Sequence, residues 1–398
     1  MVSPSAPADQ RAYLDHAATT ILRPEAREAY LEASQVAGNP SSMHTAGRRA
    51  RAVLDRALEQ IADLLGVPVS WLILTSGGTE ADHLALRAVP LGLHAADPAR
   101  DAVAVAATDH PAVLATARSL GSGEGGIAVR ELPVDAAGRV RGDAAQEALA
   151  DGRVGVLSAA LVNNETGAVQ DLAALSALAR EHGTLLHSDA VQAVGHVDLP
   201  APGTVDLMSL SGHKIGAPVG VGALIARPEV PFAPLSTGGG QQRGVRSGTL
   251  DAASAAAFAA ALQAALDGPE AHRAHVDALT ERLLAGVRDI DPSARLTLPD
   301  PTTRSGHIVH LLFPGADAES LLFLLDERGV DASAGSACSA GVTRISPVLE
   351  AMEVPEAEAR GALRLSLGWS STAAEVEQLL SALPEALRRS RAVAAFKA

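Results

Sequence analysis

Short apolar runs alternate with amphipathic stretches through the first two thirds of this 398-residue chain. The apolar runs predict strands at residues 71–74, 102–106, 154–162, 184–187, 207–210 and 222–225. The amphipathic stretches between them predict helices, among them residues 46–65, 80–89 and 172–182. Strands that alternate with helices are typical of an α/β fold with a largely parallel sheet.

The last third of the chain has a different pattern. An alanine-rich helical region from residue 251 to about residue 290 breaks the alternation. The elements predicted after it are a strand at 308–313, a helix at 318–328 capped by Asp317 and ended by Gly329, a strand at 363–367, and a final helix with a capping box of Thr372 and Glu375. We therefore expect an N-terminal arm (residues 1–16) that packs with the small domain, a large domain (17–257) and a small α+β C-terminal domain (258–398).

Composition excludes several classes of protein. The net charge of −14 and the pI near 5.4 disfavour direct binding to nucleic acid or to an anionic membrane. One cysteine excludes an intrachain disulfide framework and a cysteine-clustered metal site, so we expect no metal. The N-terminus has no pattern of a secretory signal, and the longest uncharged helical stretch, residues 252–266, is too short to span a bilayer. We expect a soluble protein of the cytoplasm.

Lysine is almost absent from the chain. Of 32 basic residues only Lys214 and Lys397 are lysines. Arginine replaces lysine well as a surface cation, but its guanidinium stays protonated and cannot form an imine. Lys397 is the penultimate residue, whereas Lys214 closely follows the apolar run at 205–210. The end of such a strand suits a Schiff-base amine, which makes Lys214 the leading catalytic candidate.

Unusual polar residues cluster where the predicted strands end. They follow five strands and occupy residues 75–80, 108–110, 163–167, 189–192 and 213–214. In open α/β sheets, ligands bind outside the carboxyl ends of the strands. We therefore expect these five segments to form one pocket.

One of these segments suits a phosphate group. Gly78 and Thr79 open the helix that begins near Glu80, and free N–H groups at a helix start attract phosphate. Ser211 and His213 would add hydrogen bonds. Taken alone, a short glycine motif matches an ordinary strand-to-helix turn more often than a phosphate site, and Ser211 and His213 also suit strand-end capping.

A lysine that forms an imine beside a phosphate site suggests pyridoxal 5'-phosphate. This cofactor needs a carboxylate that keeps its ring nitrogen protonated, and Asp189 at a strand end suits that role. His110, directly before a predicted helix at Pro111, suits ring stacking and proton transfer. Each residue has a structural alternative, because Asp189 would also cap a helix and a lone histidine is more often structural.

Eight segments of the chain resemble the cysteine desulfurases, a family of class V, fold-type I pyridoxal-phosphate enzymes. In family order they are residues 13–20 (YLDHAATT), 38–42 (GNPSS), 75–80 (TSGGTE), 162–167 (VNNETG), 188–192 (SDAVQ), 211–214 (SGHK), 246–249 (RSGT) and 335–338 (GSAC). Eight ordered matches exceed chance agreement. The resemblance implies a fold-type I transferase, with a large domain around a mostly parallel sheet and a smaller α+β domain, that converts L-cysteine to L-alanine.

The resemblance also implies a role for each matching residue. The cofactor would be held covalently by Lys214, at its ring nitrogen by Asp189, at its phenolic oxygen by Gln192, by stacking on His110, and at its phosphate by Gly78, Thr79, Ser211 and His213. Thr249 would reach the phosphate across the interface of a homodimer. Substrate carboxylate would bind Asn39, Asn164 and Arg364, since guanidinium pairs well with carboxylate. Without the resemblance, a salt bridge at a strand edge is the simpler interpretation of Arg364.

Cys338 is the expected nucleophile that receives sulfur as a persulfide. It lies among small residues, in Gly335-Ser336-Ala337-Cys338-Ser339-Ala340-Gly341. A lone cysteine is often a small buried apolar residue. A loop without bulky apolar neighbours does not easily bury one, which favours the nucleophile, and its small residues would let it move.

Two other functions remain open on the sequence alone. The chain also suits a related class V enzyme, such as a selenocysteine lyase, cystine lyase or aminotransferase, although Cys338 argues against an aminotransferase. A noncatalytic sulfur carrier or partner-binding subunit is the alternative from another class. The sulfur-acceptor protein is not identified by the sequence: iron–sulfur cluster assembly, tRNA thiolation and DNA phosphorothioation would use the same chemistry.

Overall fold

A seven-stranded sheet and two smaller sheets organise the chain, in a computed structural model that describes residues 11–122, 126–335 and 345–397. The strands are β1 (Ala12–Tyr13), β2 (Leu72–Thr75), β3 (Ala102–Ala106), β4 (Ala128–Leu132), β5 (Val154–Ser158), β6 (Leu185–Asp189), β7 (Leu207–Ser211), β8 (Gly222–Ala226), β9 (Arg295–Leu296), β10 (Ile308–Leu312), β11 (Val330–Asp331) and β12 (Ala362–Ser366). The α-helices are α1 (Pro24–Ser34), α2 (Thr45–Leu65), α3 (Gly78–His83), α4 (Val89–Ala96), α5 (Pro111–Gly121), α6 (Gly142–Leu149), α7 (Leu172–Glu181), α8 (Ala252–Leu266), α9 (Pro269–Ile290), α10 (Ala318–Asp326), α11 (Pro347–Ala351), α12 (Glu356–Ala359) and α13 (Ala373–Lys397).

The large sheet has the order β2-β8-β7-β6-β5-β3-β4. All neighbouring strands are parallel except where β8 pairs antiparallel with β2 and with β7. Because β8 reverses direction between them, β2 and β7 run the same way. The carboxyl ends of β2, β3, β5, β6 and β7 therefore meet at one edge of the sheet, as the sequence predicts for an α/β fold.

Helices cover both faces of this sheet. Every residue of β3, β5, β7 and β8 is buried, and two separate apolar clusters pack on the opposite faces. Leu, Val and Ile side chains supply most of this core, and alanines let helices approach closely. Phe258 on α8 is fully buried in one of these clusters. Burial on both faces is usual for a mostly parallel sheet.

The last third of the chain has its own apolar cluster. The antiparallel sheet β12-β10-β9 packs with helices α9, α10 and α13. Strand β1 pairs in parallel with β11, and Ala12 and Leu14 are buried in the same cluster. Helix α8 belongs instead to the larger cluster up to Ala265. None of the helices in the described ranges combines the length and apolarity needed to cross a bilayer.

Most predicted elements are present, with three differences. The strand predicted at 154–162 ends at Ser158, because the backbone N–H of Ala160 donates to the Asp109 carboxylate instead of a neighbouring strand. Strand β4 was not predicted, since its sequence AVREL lacks a continuous apolar run. The helix predicted at 80–89 starts at Gly78 and continues to Ala96 through a π-helical turn directly before α4, where Pro90 has no N–H to donate.

The predicted helix ends are confirmed. Asp317 caps α10 by accepting from the backbone N–H of Ser320, and Gly329 after that helix has a φ of 76°. The alanine-rich region divides into α8 and α9 at Gly268 and Pro269. Thr372 and Glu375 form the expected capping box, in which the Thr372 N–H donates to Oε2 of Glu375 at 2.7 Å.

Replacing Thr372 by alanine is expected to lower the free energy of unfolding by about 1 kcal/mol, the usual contribution of an N-cap side chain. Thr372 is exposed, so the change removes a cap without making a cavity. Urea-unfolding midpoints would measure the effect, with Thr372→Ser as the control because serine keeps the hydroxyl. An equal loss in both variants would contradict the capping role.

Candidate active site

Five strand ends line one cavity of about 220 Å³. Nine of the residues expected there are part of its wall: Gly78, Thr79, His110, Asn164, Asp189, Gln192, Ser211, His213 and Lys214. Four further residues, Asp82, Ala160, Val162 and Val191, complete the lining. The expectation that these segments share a pocket is therefore confirmed at the level of geometry.

The turn between β2 and α3 depends on glycine. Gly77 has a φ of 153°, which other residues rarely adopt. A Cβ atom on Gly78 would lie 2.7 Å from Cγ2 of Val191, and one on Gly222 would lie 2.7 Å from Cα of Gly77. The turn is thus packed directly against the ends of β6 and β8, which brings the start of α3 to the cavity.

Lys214 extends from the short 3-10 turn that follows β7. Its Nζ donates hydrogen bonds to the backbone carbonyls of Ala17 at 2.5 Å and Ala18 at 2.7 Å. Burial lowers the pKa of this amine to about 8, and the nearby Arg364 acts in the same direction, while Asp189 opposes the shift. An appreciable fraction of the amine is therefore neutral near physiological pH.

Asp189 lies at the end of β6, buried in the wall of the cavity. Burial raises its pKa, while the Val191 N–H and the charges of His110 and Lys214 oppose the shift. The backbone N–H of Val191 donates to Oδ1 of Asp189 at 2.9 Å. Asp189 thus also caps the backbone that follows its strand, which is the structural alternative given in the sequence analysis. The carboxyl group nevertheless faces the same cavity as the Lys214 amine.

His110 caps helix α5. Its Nδ1 accepts from the backbone N–H of Ala112 at 3.1 Å. Burial lowers the pKa of His110, so the ring favours the neutral form, and the proton of that form must then lie on Nε2. The structural and the chemical interpretations of His110 are compatible, because each uses a different ring nitrogen.

Gln192 and His213 are tied to the N-terminal segment. Nε2 of Gln192 donates to the carbonyl of Ala17 at 2.7 Å, and Nδ1 of His213 lies 3.2 Å from the Thr19 hydroxyl. Burial lowers the pKa of His213 to about 4, which keeps this ring neutral. The segment 17–19 therefore forms part of the framework around Lys214.

Arg364 is buried next to the cavity rather than in its wall. It lies on β12, and its guanidinium donates to the backbone carbonyl of Asn164 at 2.8 Å and to Oδ1 of Asp15 at 2.7 Å. The salt bridge that the sequence analysis gave as the simpler interpretation of Arg364 is therefore present, with Asp15 as its partner. Nε of Arg364 has no hydrogen-bond partner among the described residues, so the guanidinium is not fully satisfied.

Two predicted residues, Asn39 and Thr249, are described by the structure and do not line the cavity. Asn39 is exposed, and its side chain accepts from the backbone N–H of Ser41. Thr249 is exposed and does not line the cavity. Cys338 lies outside the described residues.

Sequence reasoning missed several residues close to Lys214. His16, His196, His272 and His307 surround a second, smaller cavity that Lys214 also lines, and the rings of His196 and His307 stack 3.6 Å apart. Burial lowers the pKa of all four, so these rings add no positive charge beside the amine. No set of three or more His, Cys, Asp or Glu side chains is arranged to hold a metal ion within the described ranges.

Asp82 was also missed. It lies four residues after Gly78 on the same helical segment, a spacing that brings both residues to one face. This spacing is the signal that would have identified it, because the face at Gly78 was already expected to border the pocket.

Comparison with known proteins gives one consistent result. The family model for aminotransferase class-V matches residues 12–379. An IscS-like cysteine desulfurase of Mycobacterium tuberculosis is 44% identical over 96% of this chain and 98% of its own length. Among solved structures, a NifS-like protein has a TM-score of 0.87 at 30% identity, covering 96% of this chain and all of that chain (100%).

A second similar structure contains cysteine. SspA in complex with cysteine has a TM-score of 0.75 at 28% identity, covering 89% of this chain and 98% of that chain.

The lowered pKa of Lys214 is directly measurable, because the chain has only two lysines. In NMR spectra of protein freed of its cofactor and carrying isotope-labelled lysine, the signal that disappears in Lys214→Arg is expected to titrate near pH 8. An exposed lysine titrates at about 10.4. A Lys214 signal with that ordinary midpoint would show that burial does not lower its pKa.

Proposed function

We propose how the residues described above perform the reaction of the cysteine desulfurases, the group within the aminotransferase class-V family to which this chain belongs. The chain is an enzyme that depends on pyridoxal phosphate and converts L-cysteine to L-alanine with transfer of the sulfur. The observation that carries the residue assignments is the cavity in which the Lys214 amine and the Asp189 carboxyl group both take part.

The donor set of the cavity fits pyridoxal phosphate. Oγ of Ser211 is buried and lacks a hydrogen-bond partner in the described structure, although Ser211 lines the cavity. The absence of side chains at Gly77 and Gly78 leaves the first N–H groups of α3 open to a phosphate group. In our proposal Thr79 and His213 add to this phosphate site, Asp189 faces the ring nitrogen, and Gln192 reaches the phenolic oxygen.

When bound, pyridoxal phosphate supplies an aldehyde carbon that takes up an amine and a protonated ring that withdraws electrons from the substrate. Lys214 provides that amine and later removes the α-proton of cysteine. Its pKa of about 8 suits both tasks, because a base with a pKa close to the working pH is present in its neutral form and still binds a proton. The Ala17 and Ala18 carbonyls orient Nζ.

His110 acts in our proposal as a hydrogen-bond donor and as the stacking partner of the ring. The hydrogen bond from Ala112 holds Nδ1, which leaves Nε2–H free to donate a hydrogen bond. Burial favours the neutral imidazole, which keeps its Nε2 proton because releasing it would leave an imidazolate. Lys214, whose charge influences the pKa of His110, is the group that carries the transferred proton.

The carboxylate of the substrate is proposed to bind Arg364, Asn164 and Asn39. Arg364 has an unsatisfied Nε and is held in place by Asp15 and the Asn164 carbonyl. Its charge lowers the pKa of Lys214, which supports a position close to the reacting amine. Asn39 is exposed, so its part in this proposal requires that the region around it closes over the substrate.

Cys338 is proposed to receive the sulfur. Both flanks of its segment contact one carboxyl group: the Ser346 hydroxyl donates to Oε2 of Glu165, and a Cβ on Gly335 would lie 2.8 Å from the same oxygen. Glu165 directly follows Asn164, which lines the cavity. Cys338 is three positions after Gly335 in the sequence, a distance of at most about 11 Å for an extended chain.

The transfer step balances without an added oxidant or reductant. The Cys338 thiolate attacks the sulfur of cysteine, an S–S bond forms, and the carbon–sulfur bond breaks. The electron pair of that bond stays with carbon, which takes up a proton, and the product leaves as alanine. The persulfide on Cys338 then passes its outer sulfur to an acceptor protein, and radiolabelled sulfur would identify which acceptor receives it.

Replacing Cys338 by alanine is expected to keep the visible absorption of the bound cofactor and to abolish persulfide formation. Alanine production should fall by at least about a hundredfold, the scale expected for loss of a nucleophile. Mass spectrometry of the protein and an alanine assay with a thiol reductant provide the measurements.

Ser339→Ala in the same segment is the control for that experiment. A Cys338→Ala protein that releases alanine and sulfide at the wild-type rate would refute the role of Cys338. A colourless protein that binds no pyridoxal phosphate would instead refute the assignment of the cavity.

A homodimer with shared sites is proposed from two observations. Thr249 is exposed and is not part of the cavity wall of its own chain, which favours contact with a phosphate group in a second copy. Large apolar side chains are also exposed, and all but one of them lie between residues 21 and 43: Ile21, Leu22, Tyr30, Leu31, Met43 and Val219. Such apolar surface is typical of an obligate interface.

Co-expression of Lys214→Ala with Thr249→Ala tests this dimer. Each mixed dimer would contain one site with both native residues, so about a quarter of all sites are expected to bind the cofactor with wild-type affinity after random pairing. The Lys214→Ala protein alone should be inactive, and Thr249→Ala alone should bind the cofactor about tenfold more weakly at every site, the effect of one lost hydrogen bond to a charged group. A cofactor titration of the mixture that reveals only weakened sites would contradict a shared site.

The division into an arm (1–16), a large domain (17–257) and a small domain (258–398) stays a proposal. The burial of Ala12 and Leu14 in the smaller cluster supports the arm. Helix α8 crosses the proposed boundary at residue 257 while it packs in the larger cluster.

A further inference from the structure

A further cavity of about 320 Å³ lies apart from the one that contains the Lys214 amine, and the two share no lining residue. Its wall comes from helix α9, from residues 301–307 before β10, and from His196 and Val197 after β6. We call it the α9 cavity. None of the roles proposed above for the reaction uses a residue of this wall.

Hydrogen bonds and close packing fix the wall of the α9 cavity. Oγ1 of Thr280 on α9 donates to the backbone carbonyl of Gly306 at 2.9 Å, and the N–H of Ser305 donates to the carbonyl of Gly167 at 2.8 Å. A Cβ atom on Gly306 would overlap Oδ1 of Asp277, so glycine is what lets α9 and the segment before β10 approach this closely. The cavity is therefore built by the fold itself.

Several polar groups of this wall lack partners. Nε of Arg273, Nε of Arg304 and Nε2 of His307 are buried and form no hydrogen bond within the described ranges. The His307 ring is only 2% exposed, and its other nitrogen lies next to the Ser305 hydroxyl. Buried polar groups are normally hydrogen-bonded, because an unpaired one is costly. Three unpaired groups in one wall indicate a site that a polar ligand completes.

The charges of the wall are of both signs. Arg304 is half-buried and interacts through space with Asp277, but no ion pair joins Arg304 to a carboxylate in the described part of the chain. Arg273, in contrast, is paired with the exposed Asp198 at 2.8 Å. Asp277 and Glu281 are exposed and line the same cavity. One guanidinium group and two carboxylates are thus available to a ligand.

This combination of charges selects the chemical class of the ligand. A simple anion would pair with Arg304 but be repelled by Asp277 and Glu281, and a simple cation would leave the guanidinium unpaired. An α-amino acid carries a carboxylate and an ammonium group on the same carbon, so it satisfies both signs. The valines at 197 and 276 supply an apolar part of the wall for its side chain.

We propose that the α9 cavity is a second binding site, for a zwitterionic α-amino acid with a small apolar side chain. The carboxylate of the ligand pairs with Arg304, and its ammonium group pairs with the carboxylates of Asp277 and Glu281. Alanine, the product of the reaction, belongs to this class. The proposal does not depend on the roles assigned to residues of the catalytic cavity, because the two walls share no residue.

A titration of the holoenzyme with L-alanine, followed by ligand-observed NMR at pH 7, tests the site. Borohydride reduction beforehand removes the aldehyde-derived double bond of the cofactor, so that the amino acid cannot react with it. Saturable binding of L-alanine is expected. Propionate and L-alaninamide each lack one of the two charges and should bind at least about tenfold more weakly, the scale of one lost hydrogen bond to a charged group.

Two variants assign the binding to this cavity. Arg304→Gln and Asp277→Asn are each expected to weaken L-alanine binding at least about tenfold. Asp277 is exposed, so its replacement leaves the apolar core intact. Arg288→Gln is the control, because Arg288 is exposed on the same helix and does not line the cavity. All three proteins should keep the visible absorption of the cofactor before reduction.

Three results would overturn the proposal. Equal affinity for L-alanine in Arg304→Gln and in Arg288→Gln would show that the amino acid binds elsewhere. Propionate or inorganic phosphate that binds as tightly as L-alanine would indicate a site for simple anions. The absence of saturable L-alanine binding to the reduced wild type would show that the α9 cavity does not take this class of ligand.

Discussion

The common direction of five strands is the constraint on which the site depends. Because β2, β3, β5, β6 and β7 run the same way, the segments that follow them meet at one edge of the sheet. Residues as distant in sequence as Gly78 and Lys214 therefore line one cavity. The antiparallel strand β8 lies between β2 and β7 and pairs with both, so β2 and β7 point the same way. Its first residue, Gly222, also gives the glycine turn room to pack.

Burial at that edge then adjusts acids and bases in opposite directions. It lowers the pKa of the Lys214 amine and of the surrounding histidines, and it raises the pKa of the buried carboxyl groups. Hydrogen-bond donors and opposite charges act against this effect, as the Val191 N–H does at Asp189 and as Asp15 does at Arg364. Burial thus increases the neutral fraction of the Lys214 amine and of the imidazoles, while the ionised form of Asp189 depends on the groups that oppose burial.

The sequence predicted the polar segments at the strand ends well. It predicted poorly the isolated polar residues and the elements that depend on tertiary contacts. Motifs such as SGHK and SDAVQ are contiguous, so their position after apolar runs predicted the cavity wall correctly. Asp82 belongs to no such contiguous motif, and only its spacing from Gly78 on one helical segment indicates its place in the wall. The edge strand β4 and the π-helical turn before Pro90 were missed for a similar reason, since pairing and helix geometry there depend on tertiary contacts. The position of Cys338, outside the described residues, stays a sequence-based expectation.

The central claim is that the Lys214 amine is the group that holds pyridoxal phosphate. Borohydride reduction of the holoenzyme, followed by peptide mass spectrometry, tests this claim most directly because Lys397 is the only other lysine. The account predicts a pyridoxyl group on the peptide that contains Lys214 and an unmodified Lys397. A pyridoxyl group on Lys397, or a loss of colour on reduction without any labelled lysine, would contradict it.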